Sequence, residues 1–193
     1  MGTFINIRGT NGSGKSTLAR SLFSDGCLQP LVYSYTNERG KQKEVRANIG
    51  KSGVAVLGDY STMAGGLDKI DRFSFQQEAI DAALDQFKIV VAEGVLASTV
   101  YGSWAHFADA LAAKGHRTIW AYLATPGDEC LRRIQVRNGG KPIKGELVLD
   151  KIRAIAATRA RALRAEGHIQ VLDLPYGAES EVLLQTIAAE LDR

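Results

Sequence analysis

In the stretch INIRGTNGSGKSTLAR, Gly9, Gly14, Lys15 and Ser16 fill the phosphate-loop pattern G-x-x-x-x-G-K-[ST]. Successive backbone N–H groups must point into one concavity around a phosphate, which glycine allows most cheaply. Lys15 then reaches the β- and γ-phosphates, the Ser16 hydroxyl ligates Mg²⁺, and the helix that follows presents its positive end. The ATP-contacting set is therefore Gly9, Asn11, Gly12, Ser13, Gly14, Lys15, Ser16 and Thr17. A flexible Gly/Ser linker carrying a lysine by accident is the alternative. With average glycine usage near 7%, these four positions coincide by chance in well under ~1% of chains this long.

Transfer of the phosphate needs more cations, a second metal-side oxygen and a group that orients the acceptor. Arg133 and Arg137 lie four residues apart in TPGDECLRRIQVRNGGKPIKG and share a helix face. They lead into a Gly/Lys loop, a lid over roughly 137–147, which would neutralise developing charge and exclude water. Thr125 is the expected N-cap of that helix, with Pro126 in its first turn. Glu93 ends the apolar run KIVVAEG, where a carboxylate would hold a Mg²⁺-bound water. For the acceptor hydroxyl, LGDYSTMAGGLDKIDRFSF supplies Asp59, Asp68 and Asp71; Asp59 and Asp68 rank equally and Asp71 lower. LPYG places Pro175 and Tyr176 where a loop could pack on adenine, whereas His106, His116 and His168 lack metal-like spacing. No N-K-x-D for guanine occurs, which argues against a GTPase.

These residues need a scaffold. Short β-rich runs at TFINIRG, VAVLGDY, KIVVAEG, RTIWAYL and HIQVLDL alternate with helical patterns. The last three are nearly continuous in apolar residues, as strands buried on both faces should be. Apolar stripes run along Leu18 and Leu22; Phe75, Ala79, Ala83 and Phe87; Trp104, Phe107 and Leu111; Ile152, Ala156 and Leu163; and Leu183, Ile187 and Leu191. The pattern predicts an α/β fold: a doubly wound, five-stranded, mainly parallel sheet with ligands at the strands' carboxyl ends. One segment, roughly 31–52, departs from the alternation and reads as an inserted antiparallel hairpin. It carries Arg39, Lys41, Lys43, Arg46 and Lys51 near Tyr33 and Tyr35, either as a solvated face or as a basic flap on a polyanionic acceptor, with the tyrosine rings as stacking faces and the cations on phosphate.

The chain's 193 residues suit one domain, with 45% hydrophobic and 23% charged residues. No apolar run approaches the ~20 residues of a membrane span, and the N-terminus lacks a signal-peptide layout. Cys27 and Cys130 are too few for a disulfide scaffold, so a reducing cytoplasm is expected. The net charge of +3 permits an anionic partner without requiring one.

The segments RGTNGSGKST, VLGDYSTMAGGLDKID, IVVAEG and ATPGDECLRRIQVRNGG resemble a bacteriophage group of small P-loop kinases. That group is associated with DNA hypermodification and phosphorylates the hydroxymethyl group of 5-hydroxymethyluracil within DNA. The resemblance covers about residues 3–175, and LGDYSTMAGGLD is its more specific part. It implies the P-loop kinase fold, ATP and Mg²⁺ as cofactors, and DNA with a modified thymine as substrate in the host cytoplasm. The family often has a cysteine before the paired glycines, where this chain has Ala64, and the position of Asp59 varies, which moves weight toward Asp68. Asp71-Arg72-Phe73 is similar to the Asp-Arg-aromatic element of deoxynucleoside and thymidylate kinases, so a free nucleoside or nucleotide acceptor stays open. A non-catalytic ATP-binding switch is the alternative from another class.

Overall fold

A computed structural model describes residues 1–61, 65–141, 144–165 and 167–193. Ala64 and part of the expected lid (142–143) lie outside the described residues. The strands are β1 (Thr3–Arg8), β2 (Leu31–Thr36), β3 (Gln42–Ile49), β4 (Ala55–Leu57), β5 (Ile89–Glu93), β6 (Arg117–Leu123) and β7 (Ile169–Leu174). The α-helices are α1 (Lys15–Arg20), α2 (Phe73–Leu84), α3 (Val95–Thr99), α4 (Gly102–Ala113), α5 (Gly127–Arg137), α6 (Gly145–Arg164) and α7 (Glu179–Leu191).

The seven strands among the described residues form one mixed sheet in the order β2-β3-β4-β5-β1-β6-β7. The expectation of five strands is corrected. The parallel five, β4-β5-β1-β6-β7, are those read from the sequence, and the hairpin joins them because β3 pairs antiparallel with β4. Backbone hydrogen bonding across Ala47–Ile49 thus makes the expected inserted hairpin the sheet's edge. Asn37 closes the hairpin: its side-chain oxygen accepts the backbone N–H groups of Arg39 and Lys41, each at 3.0 Å.

Alternation along the central strands divides the core into two layers. Phe4, Val90, Ala92 and Trp120 pack toward α2, α4 and α6, with Ile80, Trp104 and Leu111. Ile5, Ile7, Val91 and Ile119 pack on the other face against Leu18 and Leu22 of α1 and Leu183 and Ile187 of α7. All six residues of β1 are buried, as a central parallel strand requires.

The expected stripe on α6 is corrected. Ala156 and Leu163 are exposed, and the buried face is Val148, Ile155, Thr158 and Ala162. A polar threonine and a small alanine gave that face a weak apolar signal. Thr158 is there because a buried cation needs it: the Arg8 guanidinium lies 3.4 Å from the Trp120 ring centroid and reaches Tyr122 Oη (3.3 Å) and Thr158 Oγ1 (3.4 Å). Burial pushes Arg8 down to about 10.

Candidate active site

The order reverses at β1. Strands β5 and β4 lie on one side of it and β6 and β7 on the other, so a crevice opens at the carboxyl ends of β1 and β5. The loop after β1 and Glu93 at the end of β5 meet there. Gly12 and Gly14 adopt left-handed φ of 78° and 98°. Gly12 has a second reason to be glycine, since an added Cβ would stand 2.4 Å from the Cys130 carbonyl oxygen of α5.

Lys15 is buried, and its ammonium donates to the Thr10 carbonyl at 3.0 Å. Burial lowers its pKa, while the Glu93 and Asp68 carboxylates oppose that shift. Ser16 Oγ donates to Glu93 Oε1 at 2.8 Å, which puts a hydroxyl and a carboxylate oxygen side by side. Glu93 is itself raised by burial, against the pull of Lys15 and Ser16. A pair of hard oxygen donors beside a phosphate loop is the donor set that Mg²⁺ takes while it keeps several waters.

Asp68 sits on a short 3₁₀ turn, Gly66–Lys69, and its carboxylate accepts the Val95 and Leu96 backbone N–H groups at 2.8 and 3.4 Å. The turn packs onto the end of β5. Gly66 has φ 72°, and a Cβ there would lie 2.3 Å from the Glu93 carbonyl oxygen and 2.5 Å from Glu93 Oε1. Gly66→Ala is therefore expected to cost about 1–3 kcal/mol through backbone strain, with added loss from displacing Glu93. Thermal unfolding and turnover should both fall, turnover by at least ~10-fold, because the same shift moves Asp68. An unchanged melting temperature and rate would show that the turn tolerates a side chain.

One cavity of about 1100 Å³ joins these groups: it is lined by Asn11 to Thr17, Asp68, Glu93, Arg133 and Arg137. Gly9 is buried and is not in the cavity wall; its N–H donates to Ser98 Oγ at 3.1 Å. Arg133 Nε pairs with Glu129 at 2.6 Å, and Nη1 reaches the Gly12 and Ser13 carbonyls at 3.5 Å. Hydrogen bonds from Arg132 and Arg133 pull Glu129 down to about 2. Arg137 is exposed at the rim. Thr125 is not the N-cap of α5, which is Pro126. Its hydroxyl instead donates to the Ser13 carbonyl at 2.7 Å and ties α5 to the phosphate loop. Tyr176 is half-exposed with Arg133 5.7 Å from its ring centroid; Pro175 is exposed, and neither residue is in the cavity wall.

Asp59 does not join this group. It lines a second cavity of about 740 Å³ with Arg20, Lys43, Arg46, Tyr60 and Lys69. Its carboxylate accepts the Ser61 N–H at 2.8 Å, and bonding to Ser61 lowers its pKa. Asp71 is occupied too, accepting the Tyr35 hydroxyl at 3.3 Å. The hairpin tyrosines are not open stacking faces, contrary to expectation. Tyr35 is 7% exposed and stacks on Phe75 at 4.3 Å, and the Tyr33 hydroxyl is held by Glu78. They pin the hairpin to α2. Arg46 is paired with Glu44 at 2.6 Å and donates to the Gln29 carbonyl at 3.0 Å, whereas Lys41 and Lys43 form no ion pair among the described residues.

A sequence model of 5-hmdU DNA kinase matches residues 1–166, which include the phosphate loop, Asp68, Glu93 and the α5 arginines. The chain belongs to the 5-hmdU DNA kinase family. It is 41% identical over 167 residues to a 5-hmdU DNA kinase of Pseudomonas phage M6, covering 83% of this chain and 85% of that protein. A 5-hmdU DNA kinase of Pseudomonas phage PaMx11 is 31% identical over 137 residues, 71% of this chain and 70% of that protein. One of Delftia phage PhiW-14 is 30% identical over 179 residues, 83% of this chain but 64% of that protein.

In this 5-hmdU DNA kinase family member, several cavity residues escaped sequence reasoning: Leu96, Thr99, Leu147 and Lys151 line the same cleft. The first turn of α6 overlaps the end of the expected lid, which was the available signal. Its apolar pattern drew attention to core packing instead. Among the described residues no helix is long and apolar enough to cross a membrane.

Proposed function

We propose that this chain is an ATP- and Mg²⁺-dependent kinase of the P-loop kinase fold, working as one domain in the host cytoplasm. It transfers the γ-phosphate of ATP to the hydroxymethyl group of 5-hydroxymethyluracil in DNA. The observation that carries this reading is one cavity holding the phosphate loop, the Ser16–Glu93 oxygen pair and Asp68 in a member of the 5-hmdU DNA kinase family. Ser16 and Glu93 would hold Mg²⁺, which supplies charge neutralisation across the β- and γ-phosphates. Asp68 accepts the hydroxymethyl proton as that oxygen bonds to the γ-phosphorus, and ADP leaves. Lys15 and Arg133 face the charge that redistributes over the phosphoryl oxygens, and Arg137 joins them from the rim. Tyr176, with Pro175 beside it, would bound the adenine side.

The acceptor is settled by incubating the protein with γ-labelled ATP and 5-hydroxymethyluracil-containing DNA, ordinary DNA and a panel of free nucleosides and nucleotides. Label is expected in the modified DNA alone. Efficient labelling of a nucleoside with the DNA left untouched would overturn the assignment.

The DNA strand is proposed to run along the hairpin. Lys41 and Lys43 offer the charge; Arg46 is committed to Glu44. Each phosphate contact releases condensed counterions, with a log–log salt slope of about 0.7–0.9 per contact. Lys41→Ala/Lys43→Ala should therefore weaken DNA binding, flatten the salt slope by about 1–2 and leave ATP binding unchanged. An unaltered slope would return the hairpin to a solvated edge.

A further inference from the structure

The cleft is larger than the nucleotide needs. Single-ligand pockets run to roughly 300–1,000 Å³, and this one, at about 1100 Å³, continues past the phosphate loop between α3 and α6. The orientation of ATP is inferred from the groups around the phosphate loop. Arg133 spans from the loop carbonyls toward Tyr176, which marks the adenosine side; Ser16, Glu93 and Asp68 mark the side on which the γ-phosphate ends. Beyond Asp68 the walls are Val95, Leu96 and Thr99 of α3 and Leu147, Lys151 and Ala154 of α6, with Asp150, which is paired to Arg153. The two helices are joined where Thr158 Oγ1 donates to the Ser98 carbonyl at 3.2 Å.

Two features distinguish this half. Leu96 and Leu147 both line it, yet they are 54% and 57% exposed, apolar surface of the kind that a ligand covers. Leu96 directly follows Val95, and both of their N–H groups hold Asp68, so an apolar face adjoins the proton acceptor. Lys151 lines the same half, forms no ion pair among the described residues, and its charge helps lower Lys15.

We propose that this half-cleft is the acceptor-base pocket: the hydroxymethylpyrimidine lies with its faces against Leu96 and Leu147, and Lys151 meets its polar edge. The proposal rests on the kinase reading above and deepens it. A base inside a duplex cannot enter such a cleft, so the target nucleotide is turned out of the stack, at a cost of a few kcal/mol. Apolar faces offset part of that cost, while the cleft's depth leaves the hydroxymethyl carbon pointing at Asp68.

The test measures half-saturating concentrations for modified DNA, for free 5-hydroxymethyl-2′-deoxyuridine and for ATP in the wild type, Leu96→Ala, Leu147→Ala and Leu147→Met. Each alanine variant should raise the half-saturating concentration of both acceptors by ~10-fold, the scale of a few methylenes in an apolar pocket. ATP should stay within about twofold, and Leu147→Met should restore the acceptor value. A 2-aminopurine placed beside the target should brighten on binding to wild type, and less with the alanine variants. Unchanged acceptor values, or ATP values that rise in parallel, would overturn the pocket; the latter would place adenine there. If the wild type accepts the nucleoside but refuses the DNA, the DNA reading falls, and the nucleoside series still decides the pocket. Both leucines are more than half exposed, so truncation leaves no core cavity to confuse with misfolding.

Discussion

Lys15→Ala should lower turnover by ~100-fold or more while the protein stays folded and still binds Mg-ATP. The ammonium is buried and directed at the phosphate loop, where little water screens it. Its attraction grows as charge moves onto the bridging and equatorial oxygens, so it favours the transition state over bound ATP. Arginine should not substitute: a planar guanidinium cannot occupy the site of a compact ammonium enclosed by backbone. The measurement is single-turnover transfer to modified DNA alongside ATP titration. A folded variant with near-normal rate would remove Lys15 from the chemistry. Loss confined to ATP affinity would restrict it to ground-state binding.

The second large effect separates two aspartates that residue type and spacing alone ranked equally. Asp68→Asn should reduce turnover by ~10²–10⁴-fold, the usual contribution of a general base, with ATP affinity little changed. Asp59→Asn should keep the rate within about twofold, because Asp59 faces the second cavity and hydrogen bonding to Ser61 lowers its proton affinity. Asp68 also accepts the first two N–H groups of α3, and asparagine keeps an acceptor oxygen there, so the start of the helix is largely preserved. Single-turnover rate set against thermal unfolding distinguishes the roles: a lost base lowers the rate at near-normal stability, whereas a lost cap lowers stability and keeps the rate. Full activity in Asp68→Asn, or collapse in Asp59→Asn alone, would reverse the assignment.

The phosphate site was legible because its demands are local. Glycine at left-handed φ, a lysine and a hydroxyl must be near neighbours in the chain, so spacing alone reveals them. The five parallel strands were legible for a similar reason: burial on both faces leaves continuous apolar runs. Register, by contrast, is a long-range property. Nothing within QKEVRANI states that Ala47–Ile49 will bond to β4, so the hairpin's membership of the sheet appeared only in three dimensions.

Side-chain roles divide along the same line. Asp59, Asp68 and Asp71 are equivalent as letters in a loop; tertiary packing gives one to Ser61, one to the α3 amides and the cleft, and one to Tyr35. The tyrosines of the hairpin looked available for stacking because their partners, Glu78 and Phe75, lie about forty residues further along the chain. Thr158 lies outside the expected apolar stripe of α6, and its burial is explained only by Arg8 against it. By itself the sequence determined which loop is built for phosphate and what kind of sheet carries it. Only the tertiary structure decided which carboxylate shares the cleft with that loop and which leucines line it, because those relations depend on contacts between segments dozens of residues apart.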